Sequence, residues 1–255
     1  TIKYRLQSMK YSDEYDLGEL NGIDEAAVRE VFNTILRYGV IDKNLVGGNG
    51  WRSGYICLHE QWYSFIAATL GCPDYTRNLS DAYDYYKLNA VKQNGRVLSR
   101  FKYDAGDSAP GTYTDKGFYE AVWGVLLDSQ PDYVIVVSEQ FHNTADIKWL
   151  KGQKETCEKI LDFLLARDTD RDGLLEMMSD YHSDGKSSDW IDVIWASYEN
   201  AFVNAEMYYA MTLWSELETV MGDAANAKKY AGAAAKLKTR FNKDVADGGF
   251  WDPDK

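Results

Sequence analysis

Two kinds of apolar pattern alternate along the second half of the chain. Tyr133 to Val137 is a continuous apolar run that propensity alone reads as a strand, but Pro131 suits a first helical turn and the stretch that follows is amphipathic, so a buried helix is expected. After a turn at Thr144, Ala145 and Asp146, residues Ile147 to Leu165 carry Leu150, Cys157, Ile160, Leu161 and Leu164 on one face with Lys and Glu between. That is the pattern of an outer helix. The alternation then recurs. Tyr198 to Val220 is apolar on most faces, Met221, Gly222 and Asp223 turn the chain, and Ala224 to Phe241 is Lys-rich with Ala227, Ala231, Ala234 and Phe241 on one side.

The first half follows the same rule less clearly. Residues Thr1 to Ile23 have no period and form an irregular lead-in; the single helical domain is expected over 24–255. Asp24 caps a helix with Ala27, Val31, Ile35 and Leu36 on one face and Gly39 at its end. Tyr55 to Leu70 reads as a helix apolar almost all round, broken by Gly71, Cys72, Pro73 and Asp74, with a more polar helix from Leu79 to Gln93. Short strands are expected near Val97 to Tyr103, and Phe118 to Leu127 has helix-like spacing. A unit of buried helix, tight turn and outer helix is therefore read three times, its turns marked by Asp74, Asp146 and Asp223 at a period of about 75 residues.

Repetition sorts the loops. Turns from buried to outer helix are short, whereas the returns at 39–54, 95–129 and 167–197 are long and are expected on one face. Long loops on a rigid scaffold tend to carry function.

With 255 residues, 45% hydrophobic and 14% aromatic, the chain can bury a substantial core. A net charge of -12 argues against a nucleic-acid partner and favours a neutral or cationic one. No apolar run approaches the roughly 18 residues of a membrane helix, so no membrane partner is expected. Cys57, Cys72 and Cys157 have neither disulfide-framework nor metal spacing, and His59, His142 and His182 have no zinc-ligand spacing to one another. The 8 Trp and 19 Tyr suit ring packing and also stacking on sugar faces.

Chemistry concentrates in the third return. Asp168, Asp170 and Asp172 alternate before Gly173 in a DxDxDGLL stretch, followed by Asp180, Asp184, Asp189, Trp190, Ile191 and Asp192, and the next buried helix holds Asn204 and Ala205. The alternate aspartates match the opening of a calcium loop, with Glu176 too early for its usual last ligand; the other reading is a solvated Asx-rich turn.

Helical hairpins with one elaborated face, together with these motifs over about Gln130 to Asp252, resemble the six-hairpin (α/α) toroid glycosidases. The nearest likeness is the glucosidase portion of glycogen-debranching enzymes and related alpha-glucosidases, trehalases and alpha-rhamnosidases. The resemblance implies an all-α (α/α)6 toroid, present here in part, that hydrolyses alpha-linked sugars with inversion and requires no cofactor. It implies Asp192 as general acid, with Asp189 as the fallback, and Asn204 facing the sugar. Trp51, Arg52, Asp128, Trp190 and Glu199 are the further substrate-binding candidates, with a helix cap as the other reading of Asp128. Phe202 stands where the likeness predicts an acidic residue, and Glu199 is the displaced substitute.

A closed ring has six hairpins and three are counted here, so the base carboxylate and the covering of the open edge are expected from a further segment or chain. Three other classes stay open. They are a sugar-binding toroid without acid-base chemistry, a sugar epimerase or isomerase on a similar ring, and a plain helical-repeat scaffold.

Overall fold

The computed structural model describes residues 22, 24, 26–27, 40–41, 45–46, 56–58, 62, 73–102, 111–113, 119–121, 125–177, 187–188 and 198–250. Five helices are described along their whole length: α1 (Pro73–Asn89), α2 (Ser129–Thr144), α3 (Ile147–Leu165), α4 (Ala201–Met221) and α5 (Ala224–Phe241); residues 26–27 and 62 are helical as well.

The helix ends follow from capping chemistry. Ala145 adopts a left-handed conformation after α2, and its N–H donates to the Phe141 carbonyl. Asp146 then starts α3, its Oδ1 accepting from the N–H groups of Lys148 (3.0 Å) and Trp149 (2.9 Å). Asn200 caps α4 through the Val203 N–H, Gly222 ends it at φ +87°, and Asp223 caps α5 through the Asn226 N–H. Asp24 likewise accepts from the N–H groups of Ala26 and Ala27.

Burial separates inner from outer helices. Every residue of α2 from Ser129 to Ser138 is buried, whereas α3 buries one stripe of Leu150, Gln153, Cys157, Ile160, Leu161 and Leu164. Helix α4 packs against both α2 and α5, and α2 against α1 and α3, so two inner helices lie side by side with their outer partners behind them. Trp214 of α4 and Tyr83, Tyr86, Tyr133 and Tyr230 are the largest fully buried side chains among the described residues.

Several expectations are corrected. Helix α1 begins at Pro73, the first-turn position proline favours, so Asp74 lies inside a helix rather than in a turn. The buried face of α5 is Tyr230, Ala234 and Leu237, while Ala231 is exposed: a tyrosine and a leucine bury far more apolar area than alanines and set the rotation. Helix α4 starts at Ala201, three residues after Tyr198. Ile56–Cys57 is a strand at the start of the span expected as a helix, although Trp62 within that span is helical; the segment 118–127 contains strands, apolar spacing being ambiguous over so few residues.

The strands belong to the returns between hairpins. Strands β1 (Val40–Ile41) and β2 (Leu45–Val46) pair with each other, and β2 packs on α1. An antiparallel sheet runs in the order β3 (Ile56–Cys57), β4 (Arg100–Lys102), β6 (Tyr119–Ala121), β5 (Gly111–Tyr113). Strand β7 (Val125–Leu126) pairs in parallel with β8 (Ser187–Ser188). The segment just after the first return is thus joined to the second return through β3 and β4, and the second return to the third through β7 and β8.

At the opposite end, charge registers the two hairpins. The Lys154 ammonium on α3 contacts Glu158 of its own helix, Glu218 of α4 at 2.8 Å and the α5 cap Asp223 at 3.1 Å. Glu218 is fully buried, and its Oε1 also accepts from the Trp214 indole at 2.8 Å. Burial works against the Lys154 charge, yet bonds to the three carboxylates outweigh it and hold the ammonium above the ordinary lysine value. Burial also raises Glu218 above the usual carboxylate range.

Candidate active site

The β7–β8 pair joins the start of α2 to the third return. Leu126, two residues before Asp128, is in register with Ser188. Gln130 fixes the β7 side: its Oε1 accepts from the Val97 N–H at 2.8 Å, and its Nε2 donates to the carbonyls of Leu126 (3.1 Å) and Leu127 (3.0 Å). Asp128 is buried at the start of α2 and makes no side-chain cap bond, so the cap reading fails there.

The acidic return folds onto itself. Arg171 and Gly173 take positive φ, and each aspartate spends one oxygen on a nearby N–H: Asp168 on Gly173, Asp170 on Asp172, Asp172 on Leu174. The second oxygens reach outward, Asp168 to the Lys236 ammonium at 2.8 Å, Asp172 to the Arg240 guanidinium at 2.7 Å and Asp170 to the Tyr198 hydroxyl at 3.1 Å. Ligand oxygens of Asp168, Asp170 and Glu176 lie within 4.8 Å of one another, as do those of Asp170, Asp172 and Glu199. A calcium ion there would have to compete with two cations from α5 and with the loop's own N–H groups.

Glu176 anchors this loop, a role its sequence position did not reveal. Its fully buried carboxylate accepts from the Thr169 N–H and hydroxyl, the Asp170 N–H and the Tyr198 hydroxyl. Its backbone bridges Glu199, and Met177 donates to the Tyr198 carbonyl at 2.7 Å, so the two ends of the return are closed together. Glu199, half-buried, has its carboxyl raised by burial and then by Asp172 and Asp170.

Asn204 is not free to meet a sugar. It is fully buried; its Oδ1 accepts from the Leu175 N–H at 2.9 Å and its Nδ2 donates to the carbonyls of Leu175 and Asn200. The expected sugar contact is corrected to a clamp on the GLL segment: one turn into α4, this position points at the loop's backbone, a direction motif spacing does not encode.

Deeper along the inner helices, the Trp62 N–H donates to Asp132 of α2 at 3.1 Å, and the Trp62 ring lies 5.4 Å from that of Tyr209 on α4. Tyr209 donates to Glu139 at 2.7 Å; burial and that bond push its hydroxyl up to about 12. Trp51, Arg52, Asp189, Trp190 and Asp192 lie outside the described residues. The structure therefore brings together the acidic loop, Glu176, Tyr198 and Glu199, and separately pairs the strand before Asp128 with Ser187–Ser188.

Residues 111–248 match the family model described as the bacterial alpha-L-rhamnosidase six-hairpin glycosidase domain. No curated protein sequence matches significantly. Among solved structures, the chain is similar to a rhamnosidase from Klebsiella oxytoca with rhamnose bound, at TM-score 0.64 and 14% identity, covering 91% of this chain and 40% of that one. It is also similar to a family 105 glycoside hydrolase of C. acetobutylicum ATCC 824 (TM-score 0.62, 10% identity, 85% and 57% covered). A glucoamylase from Saccharomycopsis fibuligera gives TM-score 0.62 at 12% identity, with 88% and 49% covered. The fold is that of the (α/α)6 toroid, and the chain spans about half the length of these structures, part of a ring. Among the described residues no helix is long and apolar enough to cross a membrane.

Proposed function

Because the chain belongs to the bacterial alpha-L-rhamnosidase six-hairpin glycosidase family, we propose that it is the part of a glycoside hydrolase that carries the general acid for cleaving alpha-linked sugars with inversion. The observation that carries this reading is the family match across α2 to α5, which includes the whole third return. In this reading Asp192 protonates the glycosidic oxygen, and Asp189 is the fallback donor. Trp51, Arg52 and Trp190 hold the sugar, and Asp128 and Glu199 accept hydrogen bonds from its hydroxyls. An acetal oxygen is a poor leaving group until protonated, and inversion needs a base carboxylate about 6.5–9.5 Å from the acid to activate water.

That base is assigned to the hairpins that complete the ring. The exposed side of α4, with Ala201, Ala205 and Val220, and the groove lined by Ala205, Tyr208, Leu237, Lys238, Phe241 and Asn242 support further helices packing there. The partner is a neutral oligosaccharide or glycoside.

The test is hydrolysis of aryl alpha-glycosides, aryl alpha-rhamnoside first, by protein that includes the completed ring. Asp192→Asn is expected to lower kcat roughly 10²–10⁴-fold while leaving the melting temperature unchanged. Full retained activity on every substrate the parent cleaves overturns the assignment.

A further inference from the structure

Tyr198 is the most unusual exposed side chain on the loop face. It is 56% exposed, yet its hydroxyl is held at two points, by Asp170 Oδ2 at 3.1 Å and Glu176 Oε1 at 3.3 Å. Its carbonyl is fixed by the Met177 N–H at 2.7 Å, and Asn200, two residues on, caps α4. An exposed tyrosine normally samples several rotamers; this one presents a ring already immobilised, so a ligand stacking on it loses little further side-chain freedom. The acceptor bonds to Asp170 above all push the phenol up to about 12, so it remains a neutral donor at all ordinary pH values.

The surroundings are acidic. Asp168 and Asp172 are matched by Lys236 and Arg240, but Asp170 and Glu176 are bonded to N–H and O–H donors, and half-buried Glu199 stands beside Asp170 and Asp172. Carboxylates next to an aromatic face suit vicinal hydroxyls and repel carboxylated rings.

We infer that the Tyr198 ring is a stacking platform for a neutral glycosyl unit, with Glu199 as hydroxyl acceptor, and that this platform discriminates against uronic acids. The inference rests on the sugar-cleaving reading for its ligand class and goes beyond it in naming the residue and the charge selectivity.

The experiment uses the protein with its ring completed, labelled with 3-fluorotyrosine, the Tyr198 fluorine resonance being assigned by its loss in Tyr198→Phe. Methyl alpha-rhamnoside is expected to move that resonance in a saturable way, and methyl glucuronide at the same concentration to leave it in place. Tyr198→Ala is expected to weaken rhamnoside binding by about fivefold or more relative to Tyr198→Phe, which loses the same hydroxyl bonds but keeps the ring. A resonance that ignores rhamnoside, or that moves equally with the glucuronide, overturns the platform. Asp192→Asn keeps the fluorine response while losing hydrolysis, so the two failures are separable: a fully active Asp192→Asn sinks the acid assignment alone, and an unresponsive Tyr198 sinks the platform alone.

Discussion

Replacing Lys154 by methionine tests the electrostatic account of how the two hairpins are joined. The substitution keeps the aliphatic stem and removes the one ammonium that faces Glu158, Glu218 and Asp223. At 2.8 Å the attraction to Glu218 alone is about 6 kcal/mol at an effective dielectric near 20, most of it offset by the cost of desolvating both groups. What remains after the change is a carboxylate with no solvent exposure and two like-charged neighbours. Stranding a buried charge costs about 3–5 kcal/mol, and the low end applies because the Lys154 side chain is one-quarter exposed. About 3 kcal/mol corresponds to a fall of roughly 6–12 °C in melting midpoint for a domain of this size.

The pH dependence has a definite sign. Glu218 has a raised carboxyl in the folded protein, so its contribution is full below its unfolded value of 4.5 and is lost as pH rises through the folded one. Without Lys154 the carboxyl rises further, so the protonated, uncharged form is tolerated near pH 4 and the deficit there shrinks to less than about half of that at pH 7.5. Thermal melts followed by circular dichroism at both values measure it, with Lys154→Met/Glu218→Gln recovering much of the loss. A single variant that melts within 2 °C or so of the parent at pH 7.5, or a deficit that grows on acidification, refutes the reasoning.

Asn204→Ala strands the buried N–H and C=O of Leu175, and is expected to cost about 3 kcal/mol in urea unfolding and to speed hydrogen exchange at Leu175 most of all. Were Asn204 a sugar contact only, stability would stay unchanged. Because Lys236 and Arg240 already face Asp168 and Asp172, millimolar calcium or EDTA is expected to shift the melting midpoint by less than about 2 °C; a larger rise with calcium would show that the ion displaces them.

Helices α3 and α5 were legible from their one-faced apolar periods, with Asp146 and Asp223 standing where caps belong, and α2 and α4 from their alternation with them. The segment before Asp128 was misread because alternation over three residues cannot separate strand from helix, and its pairing partners lie in other returns. Asn204 was placed by likeness at the right element but given the wrong neighbour, since rotation about the helix axis decides whether an inner-helix residue meets the lumen or a loop. Glu176 was passed over as a misplaced calcium ligand; the available signal was a lone acid straight after Leu174 and Leu175, an apolar pair that goes to the core and takes the glutamate with it. Lys154 and Glu158 were readable as an i,i+4 pair, but nothing local marked Glu218 as the buried charge they serve.

Five of the bonds between the second and third hairpins share a nearly constant sequence offset: 69 residues for Lys154 to Asp223, 68 for Glu158 to Asn226, 67 for Asp162 to Lys229, and 68 for both Asp168 to Lys236 and Asp172 to Arg240. Such a zipper behaves like a ruler. A residue inserted within α3 or α5 rotates every later tooth by about 100° and disengages it, whereas lengthening the excursion between 178 and 197 leaves every tooth meshed. Variation in chain length is therefore channelled into a segment where it does not unfasten the scaffold.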